Sequence, residues 1–161
     1  MKRFIALTIS FLIFKNLYSQ NPESHYDSSH FKIDFTSPES VVNGFFYGLK
    51  SINLELLLLV TDQFIEEKDR LPGSRELIRL RDKIKKNDKG FIDDLNERSK
   101  ETAWHIEGNS TISRLGDYAF VPVRVQRIKN GQIVINKSSM FTLIKRNGKW
   151  LLISIEDVVI K

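Results

Sequence analysis

Two Asn-Gly pairs in the last third of the chain constrain its fold more than any other feature. Lys129-Asn130-Gly131-Gln132 and Arg146-Asn147-Gly148-Lys149 each set Asn-Gly between runs of strand-forming residues. A two-residue hairpin turn that matches the twist of its strands needs positive φ at both central positions, which Asn and Gly adopt at least cost. The turns join runs from Tyr118 to Lys129, Gln132 to Arg146 and Lys149 to Ile160, and a run from Thr102 to Arg114 precedes them. A four-stranded antiparallel meander is predicted. Ala119, Val121, Val123 and Val125 share one face of the second run; Tyr118, Phe120, Pro122, Arg124 and Gln126 share the other. In the last run Leu151, Ile153 and Ile155 oppose Trp150, Leu152, Ser154 and Glu156. Both faces carry apolar residues, so neither is simply wet. Pro122 has no N–H to give to a ladder and marks an edge or a bulge.

A sheet of this kind must cover one face, and only the first half of the chain can supply the cover. Ser37-Pro38-Glu39 gives an N-cap, a proline at the first helical position and an early acid. Val41, Val42, Phe45, Phe46 and Leu49 then fall on one helical stripe, and Gly44 and Gly48 allow another backbone to approach. Asn53 caps a second helix that is leucine almost all round, from Leu54 to Val60, and so is expected to be buried on several sides. Leu71-Pro72-Gly73 is a turn. Ser74 is then expected to cap a helix running to about Asn87, with Leu77, Leu80 and Ile84 inward and Arg75, Arg79, Arg81, Lys83, Lys85 and Lys86 around the rest. Lys89-Gly90 ends it, and Phe91 to Lys100 gives a weak turn or two of helix.

The first nineteen residues read as a secretory signal peptide: Lys2 and Arg3, an apolar or small run from Phe4 to Phe14, and Ser19 as the last leader residue. That run is shorter than the ~20 residues that span a bilayer. Removing Lys2, Arg3 and Lys15 with the leader leaves 22 basic against 20 acidic residues, so net +5 becomes +2. The basic balance is thus partly a targeting signal, and nucleic acid is not an expected partner. There is no cysteine, which excludes disulfides, thiolate metal sites, cysteine nucleophiles and an acylated lipoprotein cysteine. Residues 20–36 read as a flexible lead-in and 37–160 as one domain of a bacterial exported protein, periplasmic or secreted.

Ser37-Pro38-Glu39-Ser40-Val41-Val42 opening a helix with Phe45-Phe46 and Leu49 resembles the start of small NTF2-like (cystatin-like, cone-shaped α+β) domains. Asn53-Leu54-Glu55 entering a helix that ends near Thr61-Asp62 is similar to their next step. Phe141-Thr142-Leu143-Ile144 followed by Gly148-Lys149-Trp150-Leu151-Leu152-Ile153 is similar to their last hairpin. The resemblance covers roughly Ser37 to Val159. It implies an α+β fold, with N-terminal helices packed on a curved, mostly antiparallel four-stranded meander that leaves a cone-shaped cavity. On function it is nearly silent, because these domains host enzymes, ligand pockets and inert scaffolds alike. Ketosteroid-isomerase-like members use an oxyanion-binding tyrosine on the first helix. Here that region offers Phe46, with Tyr47 beside it on a different face. Cyclase-like and dehydratase-like members use His and Asp pairs, and this sheet has His105 with Glu107 two residues on. No catalytic residue is carried over.

The candidate chemistry is correspondingly spare. His105 and Glu107 point the same way from one strand, so an acid there would orient the imidazole, with Arg124 beside them for an anion. The alternative is a polar cluster on the outer face. His25, Asp27 and His30 have metal-ligand types but lie in an unpatterned segment, and neither metal nor cofactor is expected. The basic helix offers Arg75, Arg79, Lys83 and Lys86 for peripheral membrane contact, against a plain solvated face. No phosphate loop, nucleophile elbow or His-Glu-x-x-His occurs. The sequence therefore points to an exported, non-catalytic module binding a small apolar ligand or a protein partner. Its cavity would draw on Phe45, Phe46, Tyr47, Trp104, His105, Phe120, Arg124 and Phe141. A homodimer through the sheet, an isomerase- or dehydratase-type enzyme using His105, and an envelope-associated structural protein are the alternatives.

Overall fold

The computed structural model describes residues 32–64 and 71–158. The expected leader, most of the expected lead-in with His25, Asp27 and His30, and the end of the last expected strand run lie outside the described residues. Among the described residues four helices precede the sheet: α1 Pro38–Ser51, α2 Leu54–Val60, α3 Ser74–Lys85 and α4 Lys89–Lys100. Five strands follow: β1 Thr102–Ile106, β2 Thr111–Ile112, β3 Tyr118–Lys129, β4 Gln132–Arg146 and β5 Lys149–Asp157. The architecture is α+β, with an open antiparallel sheet ordered β1-β3-β4-β5 and β2 also pairing β3. No helix among the described residues is long and apolar enough to cross a membrane.

Both hairpins form as the Asn-Gly pairs require. Asn130 and Gly131 have φ 51° and 74°, and Asn147 and Gly148 have φ 51° and 78°. The first strand run is broken in two where the chain turns through Gly108 at φ 83°. Pro122 sits opposite that break. Its carbonyl accepts the Glu107 N–H just past β1, so the side on which it lacks a donor is where the neighbouring strand stops.

Core packing joins the face that carries Ala119, Val121 and Val123 to α1, α2 and α3. Val41, Val42, Phe45 and Phe46 of α1 meet Phe141 and Leu143 of β4 there. α1 starts as expected, with the Ser37 hydroxyl accepting the Ser40 N–H at 3.2 Å. Its glycines do what small residues permit: a side chain at Gly48 would press on Leu57 of α2, and one at Gly44 on Ile33 and Val60. Ile33 is thus seated on α1, and Trp150 donates its N–H to the Phe35 carbonyl at 2.9 Å. The end of the lead-in therefore belongs to the fold.

Four local expectations are corrected. Ser74 is the first residue of α3 rather than its cap, and its hydroxyl accepts the Leu71 N–H. Gly73 takes the cap position because a Cβ there would collide with the Ile155 carbonyl of β5. α2 is a seven-residue helix with Leu57 and Val60 buried and Leu59 55% exposed, so it is covered on one side, not all round. α4 is a full helix of 12 residues, because the Asp88 carboxylate caps it by accepting the Phe91 N–H. In β5 a bulge opposite Thr142 and Leu143 inserts Ile153. Beyond it the alternation reverses, so Ser154 pairs with Thr142 and Ile155 with Phe141.

Candidate functional site

α1, α4 and β1 meet around a small cleft. Its floor is aromatic: the Phe46 and Trp104 rings lie 4.8 Å apart and within 7° of parallel. Trp104 reaches this position because β1 pairs it with Val125 on the core face of β3, and its Nε1–H donates to Asn43 Oδ1 at 3.1 Å. Leu49 and Leu95 close the sides and Lys50 and Arg98 stand at the rim, leaving a cleft of about 90 Å³. The Lys50 Nζ lies 5.8 Å from the Trp104 ring centroid. Arg98 Nε donates to Asp94 Oδ1 at 2.9 Å. The two hydroxyls of the lining are engaged, Ser99 donating to the Asn96 carbonyl and Thr102 to the Arg98 carbonyl. What remains available is apolar area and two cations.

A second groove of about 320 Å³ runs under the other side of α4. Phe45, Leu49, Leu77, Leu80, Phe91 and Leu95 supply its apolar lining, and Glu76, Arg79, Asp94 and Arg98 its charges. Leu49, Leu95 and Arg98 border both spaces. α4 covers them lightly: Ser99 is its buried residue, while Phe91 and Leu95 are half-buried.

The eight residues expected to share one cavity are divided by the sheet. Phe45, Phe46 and Phe141 are buried against one another, with ring centroids 5.3 to 6.1 Å apart. Tyr47 is buried on α1. Of the eight, Phe46 and Trp104 line the small cleft and Phe45 the larger groove. His105, Phe120 and Arg124 lie on the opposite face, since His105 pairs with Arg124 and Phe120 alternates with the buried Ala119 and Val121.

On that outer face Glu107 is fully used. Arg124 donates to its Oε1 at 2.7 Å and the Ser138 hydroxyl to its Oε2 at 2.9 Å. These bonds, Arg124 foremost and Ser138 next, hold its carboxyl below the ordinary value of 4.5 despite some burial. His105 is exposed, and no hydrogen bond joins it to Glu107. The base and its orienting acid are therefore not assembled as a pair.

On α3, Arg75, Arg79 and Lys86 are exposed along one stripe with Asp82 and Lys83. Lys83 is paired with Asp88. Arg81, expected among the surface cations, is instead 8% exposed and donates to the carbonyls of Asp62 and Gln63 at 2.6 and 3.0 Å. No group of three His, Asp or Glu side chains suited to a metal occurs among the described residues.

Lys50, Leu95 and Arg98 are not among the cavity residues expected from the sequence. The signal was present at Leu95 and Arg98, one helical turn apart, once Asp88 is read as a cap.

Among solved structures the chain is similar to a SEC-C motif containing protein from Rhodopseudomonas palustris, at 14% identity and a TM-score of 0.51, covering 78% of this chain and 82% of that one. At that identity the likeness is one of fold alone. The intermembrane space region of the chloroplast protein ARC6 is 11% identical over 80% of this chain and 99% of that one, with a TM-score of 0.40, too low to argue from. No family model matches the chain, and no curated protein matches it.

Proposed function

We propose that this is an exported, non-catalytic domain of the NTF2-like cone type that binds a small apolar ligand in the cleft between α1, α4 and β1. The observation that carries the reading is the stacked Phe46–Trp104 floor beneath a lightly seated helix. Helix-on-sheet packing and the Ser37-Pro38-Glu39 opening of α1 support the cone type, and the basic, apolar leader supports export. An apolar group entering the cleft leaves water for aromatic and aliphatic walls, worth about 0.8 kcal/mol per methylene buried. The lining holds no carboxylate or imidazole, and both of its hydroxyls already donate to backbone carbonyls. Binding is what this lining does well.

Tryptophan emission tests the reading, because Trp104 lies in the cleft and Trp150 is 2% exposed in the core. Titration with 1-octanol is expected to shift the emission saturably, and Trp104→Phe to abolish the shift. A linear, non-saturating response, or one unchanged by Trp104→Phe, contradicts the assignment.

A further inference from the structure

Charge around the two spaces under α4 is unevenly arranged. The larger groove is balanced, with Glu76 and Asp94 facing Arg79 and Arg98. The smaller cleft has Lys50 and Arg98 in its lining and no carboxylate. Lys50 makes no ion pair with any described residue; its ammonium lies over the Trp104 ring. Asp94 occupies the Nε of Arg98, which leaves the terminal nitrogens of the guanidinium for another acceptor. The apolar surface does not stop at the small cleft, because Leu49 and Leu95 are common to both spaces.

From this juxtaposition we propose that the ligand is an amphipathic carboxylic acid. Its carboxylate sits between Lys50 and Arg98, and its hydrocarbon chain passes over the Phe46–Trp104 floor and beneath α4 along Leu49 and Leu95. The inference rests on the binding reading above and names the chemical class that it lacked. A neutral chain would leave the Lys50 ammonium and the terminal nitrogens of Arg98 to water. An amine would meet like charge there. The acid alone satisfies both ends. Both cations are solvent-exposed, Arg98 with 63% of its side chain accessible, so the head group adds selectivity rather than most of the affinity.

Octanoate, 1-octanol and octylamine, titrated separately into the purified protein at pH 7 and low salt, separate the possibilities. Octanoate is expected to bind about fivefold more tightly than octanol, the scale of one exposed ion pair. That advantage shrinks as added salt screens it. Lys50→Gln with Arg98→Gln brings the acid down to the alcohol, and Lys50→Glu moves the preference toward octylamine. Octanol bound as tightly as octanoate, or an advantage that survives the double variant, overturns the carboxylate assignment and leaves the apolar cleft standing. Binding of none of the three probes overturns the cleft reading beneath it.

Discussion

At the scale of single residues, the most constrained group is the Asp62 carboxylate. Its side chain is 0% exposed, it accepts from Arg146 Nε at 2.7 Å, and it also accepts the Phe64 N–H at 3.0 Å. Its own N–H donates to the Leu152 carbonyl, which fastens the end of α2 to β5. Arg81 braces the same turn through two backbone carbonyls while its Nε, also buried, finds no hydrogen-bond partner among the described residues. Removing one partner of such a pair costs far more than the pair contributes, because a buried charge is left uncompensated. Because Arg146 is itself 35% exposed, Arg146→Met is expected to lower unfolding stability by roughly 1 to 3 kcal/mol in a urea titration, the scale of a hydrogen bond to a charged group. Adding Asp62→Asn should restore part of that loss, since the buried charge is then gone. Equal stability of Arg146→Met and the parent would show that water, not Arg146, satisfies the carboxylate. None of this was legible in the sequence. Helical spacing places Arg81 beside Leu77, Leu80 and Ile84, but a surface arginine and one folded onto a neighbouring loop read alike until the loop's position is known.

At the scale of elements, three carboxylates knit the strands and helices together. Glu107 ties the end of β1 to Arg124 of β3 and Ser138 of β4. Asp157 ties the end of β5 to Lys137 and Ser139 of β4. Glu39 of α1 accepts the Ser110 N–H from the loop between β1 and β2. Each carboxyl is held below its ordinary value: Glu107 by Arg124 and then Ser138, Asp157 by Lys137 against partial burial. For Glu39 burial is the largest influence and pushes upward, but the hydrogen bonds from Ser110, from its own backbone N–H and from Ser37 together outweigh it. Because the folded values are depressed, the stabilisation is fully present above the ordinary values of 4.5 for the glutamates and 3.8 for the aspartate. It is lost as pH falls through the lower, folded values. The melting temperature should hold steady down to roughly pH 5 and then fall. Glu107→Gln should flatten part of that acid slope, and an unaltered slope would show that Glu107 does not contribute to it. Elements were the most legible level. Asn-Gly turns and the Ser37-Pro38 start are local signals and resolved correctly. The split of the first strand and the bulge in β5 were not legible, because each depends on what lies across the ladder: Pro122 opposite a gap, and Ile153 opposite Thr142 and Leu143.

At the scale of the whole molecule, the sheet is a partition. Its core face meets the helices, and the aromatic residues expected to wall a cavity largely fill that space with one another. Among the described residues, a cleft stays open beneath α4, along the Phe46–Trp104 stack. The outer face carries Phe120, Arg124 and His105 and faces away from it. Sequence alternation separates these two sets, since Phe120 and Arg124 alternate with Ala119, Val121 and Val123. It could not say which helix leaves room above the core face, because that depends on how tightly α4 seats. The proposed binding site therefore lies on one side of the partition. Amide and indole chemical shifts of isotopically labelled protein titrated with octanoate test this directly. Saturable shifts are expected at Leu49, Lys50, Leu95 and Ser99 and at the Trp104 indole N–H, with Phe120 and Arg124 unmoved. Shifts centred on Phe120, Arg124 and His105 instead, or none at all, would contradict it.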